Sequence, residues 1–106
     1  MTTVRLTLTA QRDLAQIRDF TAENWGAAQW RSYFLGLTHA FESIAQNPNK
    51  GRPRYIIRTG LRSLPYESHL IFFRPVRHAG GAVVILRILH QRQNLAALQF
   101  MQDLED

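Results

Sequence analysis

The stretch RILHQRQNL, residues 87–95, ends an apolar run on an imidazole, an amide and a guanidinium: His90, Gln91 and Arg92. Groups of these types at a strand end can move a proton and hold an anion. The chain has no cysteine, which excludes thiolate catalysis, disulfides and Cys-ligated zinc. Its histidines, at 39, 69, 78 and 90, form neither an HxxxH nor an HExxH pair, so neither a metal nor any other cofactor is read from them. Ser63 and Ser68 lie outside a GxSxG elbow, and there is no Walker A or GxGxxG loop. The enzyme chemistry that survives is metal-free RNA cleavage. It needs a base for the 2′-OH, an acid for the leaving oxygen and cations around the phosphorane. His90 or Glu67 would move protons there, with Arg52, Arg54, Arg62, Arg87 and Arg92 supplying charge. Each feature has a plainer reading, an Arg-rich loop as solvated surface and a strand-end His as a hydrogen-bonded terminator. Arg87 is less easily dismissed, because a charge on an apolar strand face needs a partner or an exposed cleft.

The charge balance points to an acidic partner. Thirteen Lys and Arg against eight Asp and Glu give +5, and every one of those cations except Lys50 is Arg, the side chain suited to bidentate contact with carboxylate or phosphate. Between Glu42 and Glu67 there is no acid, while Lys50, Arg52, Arg54, Arg58 and Arg62 crowd the interval. A length of 106 residues, 45% of them hydrophobic, fits one domain over 1–106 with a single modest core. The N-terminal MTTVRLTLT alternates instead of running apolar, and no stretch approaches a bilayer span. No signal peptide and no membrane partner are expected, and a reducing cytoplasm suits a cysteine-free chain.

The elements that must position these groups follow from periodicity. Val4, Leu6 and Leu8 alternate with polar residues as in a half-buried strand. Thr9 is then placed to cap a helix over 10–23, with Asp13 near its positive end. Asn24-Trp25-Gly26 breaks it, and a second helix over 27–46 closes an antiparallel hairpin before Asn47-Pro48. Residues 47–60 read as an irregular loop. Strands over 61–64, 69–74 and 82–89, joined by turn-rich links, form an antiparallel meander, and strict alternation in the last sets Val83, Ile85 and Leu89 on one face with Arg87 and Val84, Leu86 and Ile88 on the other with His90. Asn94 is a candidate cap for a short C-terminal helix bearing Leu95, Leu98 and Met101. The class is α+β: an N-terminal strand, a helix hairpin, a three-stranded meander and a short helix. One hairpin covers one sheet face, which leaves the other face or the outer hairpin surface for another chain. On the second helix Trp30, Tyr33, Phe34, Leu37 and Phe41 span a wider arc than one sheet face requires, so some of them are expected under a partially disordered, acidic amphipathic partner.

NWG between two helices, NPNKGRPR after them, then GLRSLPYESHLIFFR and RILHQRQN resemble the ParE toxins of the RelE/ParE superfamily, over residues 4–98. The resemblance implies a RelE/ParE-like fold and a toxin that inhibits DNA gyrase, is neutralised by a ParD-like antitoxin and forms a hetero-oligomer with it. It makes Arg52, Arg54, Arg58, Arg87, His90, Gln91 and Arg92 candidates for target binding, and Trp30, Tyr33, Phe34, Leu37 and Phe41 candidates for antitoxin binding. The superfamily's RelE-like branch cuts messenger RNA on the ribosome, and the same comparison speaks against catalysis here. An Arg expected at the start of the middle strand is Leu70, and a Tyr expected after the last strand falls on Leu98. Arg92 matches a further Arg, while Gln93-Asn94 departs from the Met-Asp common in ParE toxins. Were the chain a ribonuclease, His90, Arg92 and Arg62 would carry the reaction.

Overall fold

The computed structural model describes residues 3–55, 57–76 and 82–92. Strand β1 (Thr3–Leu6) runs into helix α1 (Leu8–Trp25), and Gly26 turns the chain into α2 (Ala27–Gln46). Gly26 has φ +91°, a conformation open to glycine, and it closes α1 through its own N–H to Ala22 O while its carbonyl accepts from Trp30 N. The second helix has the bounds expected of it. The first begins two residues early, because Thr7 rather than Thr9 caps it. The Thr7 hydroxyl accepts from Ala10 N at 3.0 Å and donates to Leu86 O at 3.0 Å, a tertiary anchor that Thr9 lacks. Leu8 therefore leaves the strand and sits exposed in the first helical turn.

Five strands form the sheet, one more than expected. β2 (Arg52–Pro53) is a two-residue edge within the segment read as a loop, followed by β3 (Arg62–Tyr66), β4 (His69–Val76) and β5 (Ala82–His90). The order is β1-β5-β4-β3-β2, with β1 parallel to β5 and the other pairs antiparallel. The expected C-terminal helix from Asn94 lies outside the described residues. Among the described residues no helix is long and apolar enough to cross a membrane.

Both sheet faces are buried. Ala10, Ile17, Leu37, Phe41 and Ile44 of the hairpin cover Ile71, Phe73, Val83, Ile85 and Ile88. On the far face Phe72, Val84, Leu86 and Leu89 are buried with Leu61, and residues 57–61, tied to Arg54 by Arg54 N to Leu61 O and Ile57 N to Arg54 O, bring Ile57 to it. That face is thus core rather than open docking surface. The alternation expected in β5 fails because a bulge between Phe72 and Phe73 of β4 gives β5 one extra residue. Ile88 joins Val83 and Ile85 beneath the helices, and Leu89 joins Val84 and Leu86. Helix α1 satisfies the groups the bulge displaces. Thr7 takes the Leu86 carbonyl, and Asp13 accepts from Ile88 N at 3.0 Å.

Candidate functional site

Between the hairpin and the His90 end of the sheet opens a cleft of about 870 Å³, with Asp13, Ile17, Phe20, Trp25 and Gln29 on the helix side and His69, Arg87 and His90 on the sheet side. The bulge decides its chemistry. An unbroken ladder counted from Val76 opposite Ala82 would set His69 against Leu89, and the extra residue brings His90 there instead. The two imidazoles lie with ring centroids 5.5 Å apart at 76°. Tyr33 of α2 reaches down to hydrogen-bond His69 Nδ1, and the Tyr66 hydroxyl donates to Tyr33 O at 3.3 Å.

Burial, and then the neighbouring His90, hold His69 below the ordinary imidazole value. Burial, then Tyr66 and Glu67, push the Tyr33 phenol above its ordinary value, so it stays a donor. His69 is accordingly a neutral acceptor near neutral pH. Arg87 is occupied. Its Nε and Nη2 bind Asp13 Oδ2 and Oδ1 at 2.7 and 3.0 Å, a bidentate pair that answers the question raised by a charge on an apolar strand. Arg87, expected as a target-binding cation, thus lines the cleft with its charge matched by Asp13.

The other candidates are dispersed. His90 is exposed and accepts from Arg92 N at 3.1 Å. Gln91 clamps the β3–β4 turn, donating from Nε2 to Glu67 O at 2.7 Å and from its backbone N to Ser68 O at 2.8 Å. Arg62 donates to Lys50 O, Gly51 O and the Tyr55 hydroxyl, which pins the 50–55 segment. It pairs with Phe73, four residues along β4 from His69, about 13 Å at the usual rise. Arg62 and His90 thus do not share a site. Arg52 is exposed on the β2 edge, Arg54 Nε donates to buried Ser63 at 2.9 Å, and Arg58 is half-buried. Burial and neighbouring Arg52 both lower the Arg54 guanidinium from its usual value.

On α2, Leu37 and Phe41 are core residues, corrected from candidate contact residues because the sheet already covers them. Trp30 stacks on Tyr33 and lies 5.3 Å from Phe34, which remains 39% exposed. Sequence reasoning missed Asp13 as the Arg87 partner, His69 as the mate of His90, and the exposed aromatics Phe20 and Trp25. The usable signal was an acid one turn into α1 facing a strand with an unpaired Arg. Leu70 lies with the far-face cluster, turned from the cleft.

Comparison with known proteins adds the context. A family described as "ParE toxin of type II toxin-antitoxin system, parDE" matches residues 4–95. The chain is 38% identical over 86 residues to Toxin ParE1 of Mycobacterium tuberculosis, covering 81% of this chain and 86% of that protein. Its fold is similar to a chain of the chromosomal ParDE TA system from P. aeruginosa, with TM-score 0.69 and 25% identity over 85% of this chain and 96% of that one. It is also similar to a chain of the toxin–antitoxin complex RelBE2 from Mycobacterium tuberculosis, with TM-score 0.52 and 26% identity over 84% and 96%.

Proposed function

The chain belongs to the ParE toxin family of type II toxin–antitoxin systems, and we propose that it acts in the cytoplasm by binding DNA gyrase, without catalysis, and is neutralised by a ParD-like antitoxin in a hetero-oligomer. One observation carries the choice of binding over catalysis. Arg87, the single guanidinium among the described residues lining the cleft, is already matched by Asp13, so that lining offers no uncommitted guanidinium for a scissile phosphate. On this reading Arg52, Arg54 and Arg58, with His90, Gln91 and Arg92, form the gyrase-facing surface, while Trp30, Tyr33 and Phe34 meet the antitoxin. The gyrase-facing residues fall in two patches, since β2 is the sheet edge and β5, which ends at His90, lies three strands away.

A second reading, RNA cleavage on the ribosome, draws on Tyr33, His69 and His90 sharing one cleft, where a neutral imidazole is able to take a proton. Fold does not separate the two, because similar chains occur in both ParDE and RelBE systems. The deciding experiment runs both assays on one preparation. Gyrase supercoiling is expected to be inhibited, and messenger RNA in a translating extract to stay intact. Cleavage that disappears in a His69→Gln, His90→Gln variant would replace the gyrase reading with the nuclease.

A further inference from the structure

The cleft has two chemical halves. At its mouth Phe20 and Trp25 are 63% and 71% exposed, an apolar surface that the fold leaves over. At its floor His69 and His90 face each other across β4 and β5. The floor is bounded by Tyr33 from α2, by Tyr66 and Glu67 from β3 and its turn, and by Asp13 of α1 locked to Arg87 of β5, with Arg92 beyond the strand end. Glu67 acts on the two tyrosines, whereas burial and His90 govern His69. An incoming anion therefore meets imidazoles, because the guanidinium behind them is already neutralised.

The floor can also hold an added proton. In the neutral state the Tyr33 hydroxyl serves His69 Nδ1, and it has a second acceptor in Tyr66 O at 3.5 Å. When His69 is protonated, Nδ1–H donates to the Tyr33 oxygen and the hydroxyl turns to Tyr66 O. The cluster stays bonded in both states.

We infer that the His69–His90 pair is a carboxylate-binding subsite, that its occupant is an acidic segment of the antitoxin whose apolar side chains cover Phe20 and Trp25, and that this segment binds with net proton uptake. The inference rests on the antitoxin reading above and deepens it: the antitoxin's contacts extend from Tyr33 into the cleft that Tyr33 shares with His90, so that the bound antitoxin covers His90 and withholds it from gyrase. The chain's +5 charge favours an acidic partner over a neutral one, and a carboxylate brought beside His69 offsets the burial and the neighbouring His90 that hold that imidazole neutral.

The test is calorimetry of the intact toxin with the antitoxin encoded beside its gene, in two buffers of different ionisation enthalpy at about pH 7. Binding enthalpy should differ between the buffers in the sense of proton uptake, and affinity should weaken as pH rises, by up to about tenfold per pH unit for each proton linked. His90→Gln, at an exposed position, should lower the proton count and flatten the pH profile, as should His69→Gln, which keeps an acceptor for Tyr33. Tight binding with equal enthalpies and a flat profile overturns the subsite while leaving the toxin–antitoxin reading intact. Uptake unchanged in the double variant also overturns it, since other groups then take the proton. No binding by the folded toxin at any pH overturns both.

Discussion

Asp13 accepts from Arg87 twice and from the Ile88 amide once, so a single carboxylate ties α1 to the bulge in β5. Removing it in Asp13→Ala strands a mostly buried guanidinium and an amide together. The expected cost is about 3 kcal/mol, at the low end for a buried pair because the Arg87 side chain keeps 21% exposure. In a chain of this size that lowers the melting temperature by more than about 10 °C. The Asp13→Leu, Arg87→Met pair should recover part of the loss and no more, since Ile88 N–H still lacks an acceptor. His69 makes a second prediction at this scale. Its value is depressed in the folded state, so the unfolded chain binds the proton more readily. Its contribution to stability is full above the unfolded imidazole value of about 6.5 and declines as pH falls below it. Melting curves at about pH 7.5 and about pH 5.5 should show a larger drop for the wild type than for His69→Gln. Equal drops would mean that His69 is not the group being protonated.

In α2 the glycine at 36 looks, by propensity alone, like a flaw near the middle of a long helix. A Cβ there would lie 1.9 Å from Tyr66 Oη, the hydroxyl that donates to Tyr33 O. Gly36→Ala should therefore lose stability by denaturant titration, because overpacking of about 1–3 kcal/mol outweighs a helix gain of about 1 kcal/mol. A stabilised variant would show that Tyr66 moves aside freely. The same close approach links element to site. Tyr66 and Tyr33 meet edge-on at 5.1 Å and aim Tyr33 at His69, so Gly36→Ala should also disturb the cleft floor.

Across the whole molecule the charge is uneven, with the basic 50–62 interval gathered at the β2 edge and the cleft at the far end of β5. Lys50 and Arg52 are exposed, whereas Arg54 is tied to buried Ser63. Lys50→Gln with Arg52→Gln should leave melting unchanged and, on the proposed gyrase reading, slow association with gyrase, while Arg54→Gln should lower the melting temperature. The wild-type association rate should fall with added salt, since exposed charges are screened within about 8 Å at physiological ionic strength. A salt-independent rate, measured by rapid mixing, would return the interval to plain solvated surface.

Much of this was legible from one dimension. Hydrophobic spacing set α2 over Ala27–Gln46, Gly26 marked the hairpin turn, and the meander followed from turn-rich links. Local period and turn chemistry depend on near neighbours, so a chain carries them openly. The motif strings also carried the ParE resemblance, which the family match over 4–95 bears out. What tertiary structure alone decided was which distant residues meet. The bulge changed the register by one, exchanged the faces of Ile88 and Leu89, and set His90 against His69. Asp13 reached Arg87 across 74 positions, and Thr7 displaced Thr9 as the cap through a carbonyl 79 residues away. Such contacts depend on a one-residue offset between strands and on how a helix lies over them, and alternation in the sequence is blind to both.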